Sequence, residues 1–258
     1  MKNSKTPRGP QIRTINIVSV VLTLLIVLLF LFDTQRTYQA NRDLNEATEK
    51  YVACEMAATA LKQGSDNLTT QVRLYTITGD PTYLRAYFAE VATQHREQAV
   101  DTLDLYLSDT EAYRFLEDAL ECSVGLMGME YYAMALVLDA TGGQVEPGME
   151  ALRDVRLRAE DEALNASGKM DLAFSLMHGK EYLRYDTVID DNVAQCIENL
   201  SAERETIHRE SQATLTRMQT QQNISAVALA AVIFAYVVLT TVYMVRPMVT
   251  DVQLIAGD

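Results

Sequence analysis

Two stretches of the chain carry no charge at all. Residues 15–32 read INIVSVVLTLLIVLLFLF and residues 224–245 read ISAVALAAVIFAYVVLTTVYMV. At 1.5 Å of rise per residue, helices of these lengths reach roughly 27 and 33 Å, which matches a hydrocarbon core of about 30 Å. The pattern between them is different. Leu44, Ala47, Tyr51, Cys54, Ala58, Leu61, Ser65, Leu68, Val72 and Tyr75 follow one another in steps of three and four, the spacing of a coiled-coil or bundle seam. Nothing between Phe32 and Leu44 breaks a helix, so the first apolar run is expected to continue straight into this seam.

The sequence also marks where helices stop. Thr78-Gly79-Asp80-Pro81 places Gly79 as a left-handed C-terminal cap, Asp80 as the next N-cap and Pro81 at a first helical position. A second helix is expected over 81–107. A third is expected from Thr110 to Ala140, with Tyr113, Leu116, Leu120, Ser123, Met127, Glu130, Met134 and Val137 at seam spacing. TGGQVEPG at 141–148 reads as a loop, and 149–178 as short helical pieces, including 167–178 closed by Gly179. The last helix starts near Lys180, carries Ile189, Val193, Cys196, Ile197, Leu200 and Ile207, and meets no Pro or Gly before Arg246. The expected fold is all-α: a membrane-anchored antiparallel helical bundle, four-helix-bundle-like, whose first and last helices are continuous with two transmembrane helices.

Charge gives this frame a direction. Lys2, Lys5, Arg8 and Arg13 fill the tail 1–14 without an acid, and Arg246 follows the second run directly. Cationic flanks stay cytoplasmic, so both termini are expected inside, with 15–32 and 224–245 spanning and 33–223 outside. No small-residue cleavage site follows Phe32, which favours an uncleaved helix over a signal peptide. The chain carries −13 in all; with +4 in the tail and −1 in 246–258, the outer segment holds −16. A surface that acidic disfavours nucleic acid as a partner.

Catalytic patterns are missing. The three histidines, His95, His178 and His208, fall on different expected elements. No zinc spacing, phosphate-cradling Gly loop or nucleophile elbow occurs, so no catalytic residue, metal ligand or cofactor is assigned. Cys54, Cys122 and Cys196 are widely spaced, and an odd number outside the cytoplasm leaves at least one thiol unpaired. Two polar clusters interrupt the apolar pattern. Tyr83, Tyr87 and Glu90 share a face of the second helix, while Ser65, Asp66, Thr69 and Arg73 lead into the same turn. Glu130, with Tyr131 beside it, occupies a seam position between Met127 and Met134. A carboxylate inside a bundle needs a partner, and Arg73 is the expected one. The pair is either a structural ion bridge or the polar floor of a ligand pocket made by Ser65, Asp66, Thr69, Arg73, Tyr83, Tyr87, Glu130 and Tyr131.

The segment SDNLTTQVRLYTITGDPTYLRAYFAE, from Ser65 to Glu90, resembles the N-terminal sensor region of bacterial transmembrane receptors that precede GGDEF diguanylate cyclase domains. Related four-helix-bundle sensors precede chemotaxis transducers and histidine kinases, and LMGMEYYAMALV at 126–137 resembles a second stretch of the family. The match falls on Ser65, Asp66, Leu68, Thr69, Val72, Arg73, Thr78, Gly79, Asp80 and Tyr83. It implies a signal-receiving role in the bacterial cytoplasmic membrane and a cytoplasmic output domain; no ligand comes with the resemblance, and the receptor reading expects an unknown small extracytoplasmic one. An unbroken apolar seam further suggests a parallel homodimer. MVRPMVTDVQLIAGD at 244–258 is similar to the start of a HAMP linker, although its Gly-Asp arrives about four residues early. The expectation is an input module whose output domain follows Asp258; the alternative is a structural or partner-binding membrane protein with a ligand-free bundle.

Overall fold

The structure is a computed structural model that describes residues 9–242, with side chains described from Ile17 onward. The first eight residues of the basic tail, the last three of the second apolar run and the whole of 246–258 lie outside the described residues. Among those described there is no strand: the chain is all-helical. Among the described residues seven α-helices occur in the order α1 (Gly9–Thr78), α2 (Pro81–Thr93), α3 (His95–Leu107), α4 (Glu111–Thr141), α5 (Ala159–Glu162), α6 (Ala166–His178) and α7 (Lys180–Thr240), with a 3-10 turn at Glu150–Asp154 before α5.

The helix ends follow local chemistry. Gly79 closes α1 at φ 69°, a left-handed conformation that only glycine adopts without strain. Asp80 then caps α2, its carboxylate accepting from the Thr82 N–H at 2.8 Å, and Pro81 opens the helix. Thr110 caps α4 through the Tyr113 N–H at 3.3 Å, and Gly142 ends it at φ 66°. One boundary differs from expectation. The helix expected over 81–107 breaks at Gln94, which takes a left-handed φ of 55° without being glycine. The break turns α3 so that Arg96, at its second position, points inward and is buried.

The chain divides into two compact units, and α1 and α7 contribute to both. One comprises Ala47–Thr206. Its core contains the α1 seam: Tyr51, Cys54, Ala58, Leu61, Ser65, Leu68, Val72 and Tyr75 are all buried. On α4 the buried set is broader than a seam. Leu116, Ser123, Glu130, Met134 and Val137 are inside as expected, and Ala112, Ala119, Leu126, Ala133 and Leu136 join them. Tyr113, Leu120 and Met127 are only half-buried. A helix packed by neighbours on more than one side buries more than a single stripe, and α4 meets both α3 and α6. Ile189, Val193, Cys196 and Leu200 carry the α7 side.

The other unit comprises Met1–Glu46 and Ile207–Asp258. Many of its described apolar residues are exposed: Leu28 is 62% exposed, Val227 70% and Phe234 71%. Both helices here are long and apolar enough to cross a membrane. A polar clasp ties them, with the Gln221 amide donating to the Asp33 carboxylate at 3.3 Å and Gln222 donating to the Thr34 hydroxyl at 2.8 Å.

Candidate functional site, a buried carboxylate between helices

Burying a carboxylate is costly unless hydrogen bonds replace its lost water. Glu130 on α4 is 2% exposed, and both of its oxygens are supplied. The Tyr87 hydroxyl, from α2, donates to Oε2 at 2.5 Å. The Tyr182 hydroxyl, from the first turn of α7, donates to Oε1 at 2.6 Å. Both tyrosines are fully buried. Tyr182 also meets the Thr69 hydroxyl of α1 at 3.0 Å, so one carboxylate joins α1, α2, α4 and α7.

Electrostatics act on this group from two sides. Burial is the largest influence and pushes the Glu130 carboxyl up from its ordinary value. The Tyr182 and Tyr87 hydroxyls, then the Arg96 and Arg73 guanidinium groups, pull it back without cancelling that rise. The same burial, reinforced by the Glu130 charge, pushes the Tyr87 and Tyr182 phenols far up. The tyrosines are therefore neutral donors at any physiological pH.

A second polar layer lies one heptad earlier on α4. Arg96, 3% exposed, donates to the Ser123 hydroxyl at 2.7 Å, and Ser123 meets the Ser65 hydroxyl at 3.1 Å. Gly64 makes room for this: a Cβ there would stand 3.0 Å from the Arg96 Cγ.

The expected Arg73–Glu130 ion pair is not the arrangement found. Arg73 instead pairs with Asp186 of α7 at 3.3 Å, donates to the Met177 carbonyl at 3.3 Å, and lies over the Tyr182 ring at 5.1 Å from its centroid. The two hydroxyls have taken both carboxylate oxygens, so the guanidinium influences Glu130 only through space. Of the other expected site residues, Ser65, Thr69 and Tyr87 come together in the core. Tyr131 stacks on Phe88 with centroids 5.8 Å apart, and Tyr87 meets it edge-on at 6.1 Å. Asp66 is exposed and bridges to Lys62 at 3.0 Å, whose ammonium also reaches Asp190 at 2.6 Å. Tyr83 is half-buried beside the Gly79–Pro81 turn. Asp66 and Tyr83 are thus not among the groups that meet at Glu130.

Sequence reasoning missed Tyr182, Arg96 and Ser123's role as a ligand of the guanidinium. Tyr182 was findable, because it stands seven residues before Ile189, itself on the α7 seam. Among the described residues no group of three or more His, Cys, Asp or Glu side chains is arranged to hold a metal. Chemically, the cluster can hold or release one proton and can tie four helices together. A reacting substrate cannot reach it without separating those helices.

Comparison with protein-family models, curated proteins and solved structures finds no match for the chain.

Proposed function

We propose that this chain is the sensory input module of a bacterial two-pass transmembrane receptor. In this reading 15–32 and 224–245 anchor it in the cytoplasmic membrane with both termini inside. Residues 33–223 form an extracytoplasmic, antiparallel four-helix-bundle-like sensor, paired with a second copy in a parallel homodimer. A small extracytoplasmic ligand shifts the last helix against the first, and the shift reaches a cytoplasmic output domain, a diguanylate cyclase by the resemblance of Ser65–Tyr83. One observation carries the reading. On both α1 and α7 an outward-facing apolar stretch and a residue of the buried polar cluster, Thr69 and Tyr182, belong to a single unbroken helix. Displacements of about 1–2 Å and couplings of about 1–3 kcal/mol suffice for such switches.

The test is topology. Alkaline phosphatase and green fluorescent reporters inserted in the 142–148 loop are expected to report an extracytoplasmic location, and a cytosolic result there overturns the proposal. A second reading, a structural or partner-binding membrane protein, is favoured by one specific feature: both Glu130 oxygens are already satisfied within the chain. Fusing the chain to a diguanylate cyclase separates the two. Folded variants at Glu130 change cyclic dinucleotide output in a sensor and leave it unchanged in a scaffold.

A further inference from the structure

The closed state of the Glu130 cluster limits what it can take up. Both carboxylate oxygens already accept hydroxyl donors, at 2.5 and 2.6 Å, and every group in direct contact is buried. A small molecule entering here must first displace a tyrosine. A proton needs no vacancy. We infer that the ligand of this site is the proton: Glu130 takes up one proton from water at Oε1, and the hydrogen-bonded chain through Tyr182 to Thr69 reverses direction.

One O–H bond of a hydronium ion breaks and one forms at the carboxylate, whose charge goes from −1 to zero, and the hydronium is left as water. The new O–H must donate, and the nearest oxygens are the two phenol hydroxyls. Tyr182 can turn to accept because Thr69 Oγ1, 3.0 Å away, can accept the hydrogen bond that the Tyr182 hydroxyl then donates. The bonds from α2 and α7 to α4 are charge-assisted while Glu130 is ionised, and neutral bonds are roughly half as strong. Protonation therefore weakens the individual hydrogen bonds from α2 and α7 to α4 while relieving the burial of the charge, so it changes how α4 is held against α7, one of the two helices that run on into an apolar stretch. Burial, by holding the carboxyl above its ordinary value, brings this event toward the pH of an acidifying exterior.

Charged and titratable groups from several helices surround Glu130. From α1 comes Arg73, and from α2 Tyr87, with Glu90 one turn further on and bonded to Asn67. From α3 comes Arg96, from α4 itself Tyr131, and from α7 Tyr182 and Asp186, the last held by Arg73. Lys169 of α6 faces Asp139, nine residues along α4. The two guanidinium groups favour the ionised form and the tyrosines stay neutral, and Glu130 is the carboxyl on which these groups converge.

The experiment is an infrared pH titration of the full chain in lipid nanodiscs, with ¹³C-labelled glutamate to separate Glu from Asp carboxyls. Expected is a protonated-glutamic-acid band that appears with a midpoint above the ordinary glutamate value. It is lost in Glu130→Gln, and its midpoint moves upward in Tyr182→Phe and Tyr87→Phe, which keep the carboxylate and remove one donor each. A band that survives in Glu130→Gln, or a midpoint that neither tyrosine variant moves, overturns the inference; should Glu130→Gln fail to fold by circular dichroism, the tyrosine variants decide alone. The inference rests on the receptor reading only for what the proton signals. A titration as expected in a chain whose reporters place 142–148 in the cytosol keeps the proton site and removes the receptor.

Discussion

The Tyr182 hydroxyl donates to Glu130 at 2.6 Å across 52 residues of sequence, and this bond fixes the start of α7 against the middle of α4. It is a charge-assisted bond in a buried setting, so its loss leaves an under-solvated carboxylate. Hydrogen bonds to charged groups are worth about 1.5–3 kcal/mol and neutral ones about 1 kcal/mol. Their difference gives the bond a pH dependence.

Tyr182→Phe is therefore expected to destabilise the folded chain by about 2 kcal/mol where Glu130 is ionised and by about 1 kcal/mol where it is protonated. The sign follows from linkage. The ordinary value for the carboxyl is 4.5, and burial raises it in the folded chain. Between those two values the folded chain holds a proton that the unfolded chain has released. The contribution of Glu130 to wild-type stability thus falls as pH rises through that window and is constant above it. Removing the phenol raises the folded value further and widens the window. Chemical unfolding at several pH values checks this; a cost for Tyr182→Phe that is equal on both sides of the window contradicts it.

Three glycines offer a contrast between space and propensity. Gly125 and Gly128 lie inside α4, and a Cβ at either meets nothing within 4 Å. Replacing each with alanine is expected to stabilise the chain by about 0.5–1 kcal/mol, the difference in helix propensity. Gly64→Ala has the same propensity gain but presses on the stem of Arg96 at 3.0 Å, and Arg96 is enclosed. Overpacking of about 1–3 kcal/mol outweighs the gain there. Thermal melts that rank Gly64→Ala above Gly128→Ala contradict the packing of Arg96 over α1.

How much of this was legible in the sequence depends on where the cause lies. The turn at Gly79-Asp80-Pro81 and the end at Gly142 were readable because the cause is local: a left-handed residue, a capping oxygen, a fixed φ. The α1 seam was readable because eight of its ten positions, from Tyr51 to Tyr75, share one buried face. Gln94 was not, since glutamine has no intrinsic preference for φ 55°. The partner of Glu130 was misjudged for a similar reason. Opposite charge on the α1 face suggested Arg73, whereas the tertiary arrangement brought two neutral hydroxyls closer and left Arg73 to Asp186.

The cysteines should differ sharply in reactivity. Cys54 and Cys196 are fully buried and Cys122 is half-buried. Burial pushes all three thiols up, Cys196 to about 12. Thiolate is the reactive form, so alkylation of the reduced, folded chain at pH 8 is expected to mark Cys122 first. Cys54 and Cys196 should react only as the chain unfolds. Mass-spectrometric mapping that finds Cys196 labelled as fast as Cys122 in the folded chain contradicts the seam packing of α7.

Arg73 makes three different contacts, and conservative replacement should separate them. Its guanidinium lies over the Tyr182 ring at 5.1 Å, donates through Nε to the Met177 carbonyl, and pairs with an Asp186 that is 26% exposed in its side chain. The ion pair is partly screened by solvent, so its coupling in a double-mutant cycle with Asp186→Asn is expected at about 0.5–1 kcal/mol. Arg73→Lys keeps the charge but loses the planar stack and the Nε donor, which an ammonium cannot reproduce. It should therefore cost about 1 kcal/mol, while Asp186→Asn costs less, because the stack and the carbonyl bond remain. Urea unfolding of the two single variants gives the order directly. If Asp186→Asn proves the more damaging, charge pairing rather than the position of the guanidinium over Tyr182 is what holds Arg73 in place, and the link from Arg73 through Tyr182 to Glu130 loses its physical basis.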